Sequence, residues 1–397
     1  MKFKVREKIL KILSLFAAAC ILLTLTVNAE TPYERGKEPN ERERDFFQLD
    51  CKSAILVEAN TQTVLYAKNA DEPLPPASVT KIMTLLLVME AIERGELNYQ
   101  DKVRASAHAS SMGGSQIYLR ENEEMTVEDM LKSVIIASAN DAAVALAEHI
   151  CGSEDRFVKR MNDKAESLGM KNTHFENTNG LDDSVQNHVI SARDIAIMSR
   201  ELIKYPKITE YSSIWMDSIR EGSFGLTNTN RLIRFYKGAT GLKTGSTDSA
   251  GFCVSATATR GGMSLICVVM GAKTSDERNA IATKLLDYGF NNYRIFSDNG
   301  DAIENIPILR GERPTFSAEY PPIKIVVPKS TGKISAGITL DESIVAPIKK
   351  GDIVGVVSYT DGKGEVCQID IIARESVDKC GFFDLLLNFL RKCAQIV

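Results

Sequence analysis

The chain has no CxxC pair. Its eight cysteines stand at 20, 51, 151, 253, 267, 367, 380 and 393, so zinc-ribbon and thioredoxin-type readings fail. Seven of them lie beyond residue 29 at irregular spacing, which argues against a full disulfide framework while leaving room for a single bridge. There is no excess of positive charge and no basic stripe, as the formal net charge is -4. A chain of that balance is a poor binder of nucleic acid. Only one long uncharged apolar run exists, residues 12–27, which excludes a multi-pass membrane protein. No repeat recurs at a fixed period, so solenoids and propellers are excluded. His108, His149, His174 and His188 show no HExxH or other metal spacing, and no GxSxG elbow marks a triad serine. The segment from Gly238 to Thr244 has the look of a phosphate loop, but Leu242 separates Gly241 from Lys243 and the pattern breaks. No metal or organic cofactor is expected.

What remains is a globular chain of 397 residues, 44% hydrophobic and 25% charged, long enough for two or three domains. Residues 1–29 read as a secretory signal peptide. Lys2, Lys4, Arg6, Lys8 and Lys11 precede the apolar run, and Val27-Asn28-Ala29 offers a cleavage site. An uncleaved anchor is the alternative, and either reading places the remainder outside the cytoplasm. Removing this segment leaves 43 basic and 51 acidic residues, a net charge of -8.

Residues 30–49 are polar and charge-dense, a linker. From 50 to 293 the pattern is mixed. SAILVEA and TVLYA read as two strands turning near Asn60. A broad-faced helix starts at Ser78, and Thr126 looks like the cap of another. Further helices are expected over 141–150, 191–203 and 276–288, and two strands over 251–272 with a turn at Arg260-Gly261-Gly262. Beyond about 293, prolines interrupt short β-branched runs such as IKIVVP, IVGVVSY and CQIDIIA, the pattern of a small all-β domain over 294–378. Residues 379–397 form a last segment. In it Asp384, Asn388, Arg391 and Lys392 fall within about a third of a helical wheel. Seventeen residues from Gly381 make about 26 Å of helix with charges inside, too short to span a bilayer and better suited to lying in its surface. Packing on the β domain is the competing reading.

Three short motifs carry the chemistry: Ser78-Val79-Thr80-Lys81, Ser138-Ala139-Asn140 and Lys243-Thr244-Gly245. Positions i and i+3 share a helix face, so Lys81 reaches the Ser78 hydroxyl. A serine hydroxyl needs an adjacent base. A lysine serves only if its pKa falls from about 10.4 to about 7–8, roughly 4 kcal/mol. Burial and a second ammonium lower it, and Lys243 is the obvious second cation. Free N–H groups at a helix start suit an oxyanion. Lys-Thr-Gly before a strand offers an edge to a peptide-like substrate, and Gly245 admits close approach to the backbone. Each motif alone is a common accident; their joint occurrence in this order is the signature of penicillin-binding proteins and β-lactamases.

The resemblance extends further. PPASVTKIMT, GGSQIYL, ASANDAAVALAEHI, NTNGL, SARDIAIMSREL, NTNRLIRFYKGATGLKTG and AGFCVSATA are similar to the low-molecular-weight penicillin-binding proteins, the serine-type D-alanyl-D-alanine carboxypeptidases, and most of all to Gram-positive, spore-former-type members. The resemblance implies an α/β (α+β) catalytic domain over 50–293 of the serine β-lactamase/penicillin-binding transpeptidase type, an antiparallel sheet flanked by helices with an all-helical lobe, followed by the all-β domain. It also implies roles. Ser78 attacks the penultimate D-Ala carbonyl of a peptidoglycan stem peptide ending in D-Ala-D-Ala, Lys81 takes its proton, and Ser138 relays a proton to the leaving D-Ala. Asn140 holds the substrate amide, Lys243 supplies positive charge, Thr244 binds the terminal carboxylate, and the N–H groups of Ser78 and Ser246 form the oxyanion hole. β-Lactams acylate Ser78, and the C-terminal helix attaches the protein to the outer face of the cytoplasmic membrane. Ser246 stands where some members carry His or Phe, and the arginine of the carboxylate pocket is not assignable between Arg231 and Arg234.

Three other activities compete. A class A β-lactamase needs an ExxLN-type loop, and none occurs between Asn140 and Lys243. A D,D-endopeptidase acting on cross-links fits the same motifs. A non-catalytic β-lactam sensor is disfavoured because every catalytic side chain is present.

Overall fold

The computed structural model describes residues 47–181 and 185–381. The expected leader, most of the linker and the C-terminal helix beyond Gly381 lie outside the described residues. Elements used below are numbered in chain order.

The domain expected to be catalytic is built on a five-stranded antiparallel sheet of strands β1 (Ser53–Glu58), β2 (Val64–Lys68), β3 (Ala239–Thr247), β4 (Gly251–Arg260) and β5 (Met263–Ala272). Their order across the sheet is β2-β1-β5-β4-β3, which leaves β3 with a free edge. The central strands read as almost continuous apolar runs because both faces are covered. Successive side chains point to opposite faces. Ala54, Leu56, Val254, Ala256, Cys267 and Val269 join one core. Ile55, Val57, Cys253, Ile266, Val268 and Met270 join the other.

Helix α1 (Lys81–Glu93) is buried on all sides, with ten of its thirteen residues, Lys81 through Met89 and Ala91, out of solvent. A helix apolar around its whole circumference must be central. The lobe around it contains α2 (Val127–Ile136), α3 (Asn140–Cys151), α4 (Glu154–Ser167), α5 (Ala192–Leu202) and α6 (Pro206–Ser212). Thr126 caps α2 by accepting from Asp129 N, as the sequence suggested, and Ser191 caps α5 by accepting from Asp194 N. The opposite face of the sheet is covered by α7 (Ser275–Asn292), which runs four residues beyond the expected end.

The sequence places the start of the central helix at Ser78. In the structure Ala77–Thr80 is a turn of 3-10 helix, and α1 proper begins at Lys81. Ala77 sits at φ +50°, a left-handed conformation that an alanine rarely adopts. The chain must turn sharply out of Pro75-Pro76 to enter the helix, and the tight turn accommodates that entry.

The β domain follows α7 without a spacer. Strands β6 (Tyr293–Asp298) and β9 (Ile323–Pro328) pair with each other. A five-stranded sheet of β7 (Asp301–Pro307), β8 (Thr315–Tyr320), β10 (Ser335–Leu340), β11 (Ile353–Thr360) and β12 (Glu365–Ala373) has the order β7-β8-β12-β11-β10. Three of these strands contain the runs IKIVVP, IVGVVSY and CQIDIIA singled out from the sequence. The junction is fastened: Lys329 N donates to Asn292 O and its Nζ to Phe290 O, both at 2.7 Å. Val326 of β9 is buried within the α7 core. At the other end Lys379 bridges to Gly311 and Cys380 N donates to Arg310 O, so β-domain pairing continues to Cys380. At the N-terminal side Phe47 stacks at 5.7 Å on Tyr66 and 5.2 Å on Tyr288, and Leu49 is buried. The final residues of the segment read as linker therefore pack on the catalytic domain.

Candidate active site

The three motifs arrive from three separate elements. Ser78 and Lys81 lie at the entry to α1, Ser138 in the turn between α2 and α3, Asn140 at the first position of α3, and Lys243 to Ser246 on edge strand β3. The fold brings them into one cleft. Lys81 Nζ is 2.8 Å from Ser78 Oγ, and Lys243 Nζ is 2.9 Å from Ser138 Oγ. The KTG strand touches the nucleophile's turn at Gly245, where a Cβ would come within 2.6 Å of Ser78 N and 2.9 Å of Val79 N. No side chain fits between strand and turn, which is the physical reason for glycine at this position.

Both lysines are buried, with relative exposures of 0% for Lys81 and 1% for Lys243. Burial disfavours the charged form. It holds the Lys81 ammonium well below the ordinary lysine range, Lys243 pushes it lower still, and Asp141 opposes the shift. Burial likewise brings Lys243 down to about 7, assisted by the guanidinium of Arg278. Each ammonium is also met by a backbone carbonyl, Lys81 donating to Asn179 O at 2.7 Å and Lys243 to Thr244 O at 2.8 Å. Ser78, by contrast, is only half-buried and Ser246 is exposed, so the nucleophilic residue and the C-terminal end of β3 are open to solvent.

Ser138 adopts φ +64°. A left-handed serine costs about 1–3 kcal/mol and persists only when its neighbours fix it. Here Ala139 N donates to Ser133 O at 3.1 Å and Asn140 N to Ser115 O at 2.7 Å. The Asn140 side chain donates to Gly113 O at 2.7 Å, while its Oδ1 is buried with no partner among the described residues. That orphan acceptor is a ready receptor for a substrate N–H. Asp141, next in sequence, accepts from Leu119 N at 3.0 Å and from Ile117 N through both oxygens at 3.1 and 3.2 Å. It fastens the segment that carries Gly113 and Ser115.

Other residues at the site were not named individually from the sequence. Asn179 supplies the carbonyl for Lys81, and its loop is built by its own amides. Asn177 Oδ1 accepts from Gly180 N at 2.7 Å, and Asn179 Oδ1 from Leu181 N at 2.9 Å. Glu154 takes Thr178 N at 2.9 Å and Thr178 Oγ1 at 2.7 Å. Gly180 is at φ +83°, and a Cβ there would lie 1.9 Å from Ala77 O. Thr229 accepts from Thr244 Oγ1 at 2.8 Å. Both loops stand in the sequence as short Asn-Thr-Asn runs, whose turn-forming side chains were the available signal. For Arg278 the sequence carried none. The two arginines weighed for the carboxylate pocket have other engagements: Arg231 pairs with Asp276 at 2.9 Å, and Arg234 lies over the Trp215 ring at 5.5 Å and the Phe235 ring at 5.6 Å.

A buried histidine braces the nucleophile's turn. Glu176 N donates to His188 Nδ1 at 3.0 Å, so the ring proton sits on Nε2, which is 2.8 Å from Thr80 Oγ1. Thr80 Oγ1 in turn donates to Ala77 O at 2.8 Å. The sequence reading left His188 as structural, and this chain makes it a positioning residue for the Ser78 turn. Burial, the main cause, lowers its pKa to about 4. The unfolded histidine titrates near 6.5 and binds its proton first as pH falls. The stabilisation is therefore fully present above about 6.5 and is lost as pH drops toward 4, a difference of roughly 3 kcal/mol at most. We expect His188→Gln to flatten the fall in melting temperature between pH 6.5 and 4. An unchanged pH profile in the variant would remove His188 from this role.

Comparison with known proteins places the chain in a family and a fold. A family profile described as D-alanyl-D-alanine carboxypeptidase matches residues 38–274, and one described as penicillin-binding protein 5, C-terminal domain, matches residues 290–379. The chain is 42% identical over 385 residues to the D-alanyl-D-alanine carboxypeptidase DacF of Bacillus subtilis, covering 95% of this chain and 97% of that one. Among solved structures, penicillin binding protein 5 from Haemophilus influenzae superposes with a TM-score of 0.75 at 31% identity, covering 87% of this chain and all of that one. Penicillin-Binding Protein D2 from Listeria monocytogenes in its ampicillin-bound form gives 0.57 at 33% identity over 64% of this chain and 100% of that one. The fold is thus of the penicillin-binding and β-lactamase-like type, with a mixed α/β catalytic domain and a C-terminal β domain.

Proposed function

We propose a reaction course for this chain, which belongs to the D-alanyl-D-alanine carboxypeptidase family and is a serine carboxypeptidase: it removes the terminal D-alanine from peptidoglycan stem peptides through an acyl-enzyme on Ser78. The observation that carries the proposal is the pair of serine–lysine contacts in one cleft, 2.8 Å for Ser78–Lys81 and 2.9 Å for Ser138–Lys243.

The stem peptide lies along the free edge of β3, its penultimate carbonyl oxygen between the N–H groups of Ser78 and Ser246. Thr244 and Lys243 receive the terminal carboxylate, and the orphan Oδ1 of Asn140 receives a substrate N–H. Neutral Lys81 accepts the hydroxyl proton as Ser78 Oγ bonds to the carbonyl carbon. Collapse of the tetrahedral intermediate breaks the C–N bond. Ser138 gives its proton to the departing amine and takes back the one held by Lys81, so D-Ala leaves, the remaining acyl group is an ester on Ser78, and Lys81 is neutral again. Water, deprotonated by Lys81, then attacks that ester and restores the serine. A β-lactam enters the same course with its ring amide as the scissile bond and remains attached as a slowly hydrolysed ester. We further propose that the mature protein is exported by residues 1–29 and held on the outer face of the cytoplasmic membrane by its C-terminal segment, on the strength of the sequence pattern in both.

D-Ala release from a synthetic peptide ending in Lys-D-Ala-D-Ala should fall by at least about 1,000-fold in Ser78→Ala. Penicillin labelling of Ser78 without any release would instead point to an endopeptidase or a sensor. The pH dependence offers a second check. Because the base must be neutral, acylation by penicillin should rise with pH through the lowered Lys81 pKa. Replacing Lys243 by Ala removes the nearby ammonium, raises the Lys81 pKa, and should move that limb to higher pH. A limb at the same pH in both proteins would separate Lys81 from proton transfer. For attachment, purified protein starting at residue 30 should pellet with anionic vesicles, and the same protein lacking 381–397 should stay in the supernatant. Equal pelleting of the two would dismiss the C-terminal anchor.

A further inference from the structure

The sheet of the β domain ends in a strand with no device against pairing. Edge strands normally carry a charge, a proline or a bulge that blocks a neighbour. Strand β10, Ser335-Ala-Gly-Ile-Thr-Leu340, has none of these, and its register with β11 is regular from Ser335↔Thr360 to Leu340↔Gly355. Directly opposed residues share a face of the sheet. Ala336 and Ile338 lie opposite Tyr359 and Val357, both wholly buried in the domain core. They therefore point to the core side, yet Ala336 is exposed and Ile338 is 52% exposed. The apolar layer continues past the last strand and is uncovered among the described residues.

We propose that a second copy of this chain completes the layer, two β10 strands pairing antiparallel about a two-fold axis through Gly337. An axis perpendicular to the sheet keeps both cores on one side, and it pairs only residues of like parity. With Gly337 facing Gly337, Ile338 of one copy lies opposite Ala336 of the other, and Leu340 opposite Ile334, all on the core side. On the solvent side Thr339 faces Ser335. One step further, Lys333 faces Asp341, twice by symmetry. Lys333 and Asp341 are both exposed and enter no ion pair among the described residues. The segment is thus self-complementary in shape, polarity and charge, which an isologous interface requires. Shifting the axis to Ile338 keeps both cores aligned but places Glu342 opposite Ile334 and leaves Lys333 without an acid. A single six-residue edge buries little area, so the dimer is weak and concentration-dependent.

Sedimentation of the full chain in detergent should show mass doubling with concentration. Ile338→Lys should abolish the doubling and leave D-Ala release unchanged, since the residue is far from the cleft. Lys333→Glu should weaken it, and adding Asp341→Lys should restore it. The register is read separately by crosslinking. Antiparallel partners stand about 4.5–5.5 Å apart at Cα, within disulfide range, and a side chain at 337 has room, the nearest atom being Ser358 O at 3.8 Å. Gly337→Cys should therefore form a disulfide-linked dimer on mild oxidation, while Ser335→Cys and the native chain should not. A chain monomeric at every concentration with no Gly337→Cys crosslink would overturn the proposal. So would a dimer that survives Ile338→Lys, which would mean that another surface or residues 382–397 hold it. Equal crosslinking of both cysteine variants would overturn the register.

Discussion

Two ammonium groups buried side by side are the constraint on which the rest of this molecule depends. Lys81 and Lys243 are both withdrawn from water, and Lys243 further disfavours the charge of Lys81, as Arg278 does that of Lys243. Left unmet, such groups would cost several kcal/mol apiece. The structure meets them with two serine oxygens and two carbonyls, those of Asn179 and Thr244, and neither lysine has a direct carboxylate partner among the described residues. Carbonyls satisfy the donors without restoring the pKa, as an adjacent carboxylate would. The site therefore keeps its lysines satisfied but easily deprotonated, the condition a general base requires.

Holding those four acceptors in place explains much of the surrounding architecture. Asn179 O is aimed at Lys81 by a loop knitted from its own amides and tied to α4 through Glu154. Ser138 is kept left-handed by the α2–α3 turn and by Asp141, which draws the neighbouring segment against it. Ala77, just before the nucleophile, is also left-handed, and Gly180 on one side and the His188–Thr80 pair on the other enclose it. Left-handed residues thus stand at Ser138 and immediately before Ser78, and polar side chains outside the cleft sustain them. Because these braces come from distant stretches of chain, removing one perturbs the nucleophile without touching the substrate.

The β domain bears on the site indirectly. It is joined to α7 by backbone bonds and by a valine buried in the α7 core. Near the start of α7 sits Arg278, which helps to lower the Lys243 pKa. The distal edge of the β domain, β10, carries an apolar layer that is uncovered among the described residues.

Much of this was legible from the residues themselves. The strands and helices followed from periodicity and caps, and the three motifs stood in the sequence complete. Ser-x-x-Lys needs only the pitch of a helix to make its contact, so the Ser78–Lys81 pair is local and the sequence determines it. What sequence could not decide was anything that joins distant segments. The pairing of Lys243 with Ser138 spans 105 residues, and the acceptor chosen for Lys81, Asn179, lies 98 residues away. Arg278 and His188 belong to the site only because the sheet and lobe fold them toward it, and nothing in their local sequence marks them. The first turn of the central helix differed for a related reason: propensity favours an α-helix from Ser78, but the entry from Pro76 and the pressure of Gly180 on Ala77 tighten it. The local chemistry was set by residue type and spacing, whereas the electrostatics that make it work arise from burial and long-range contacts, which exist only once the chain has folded.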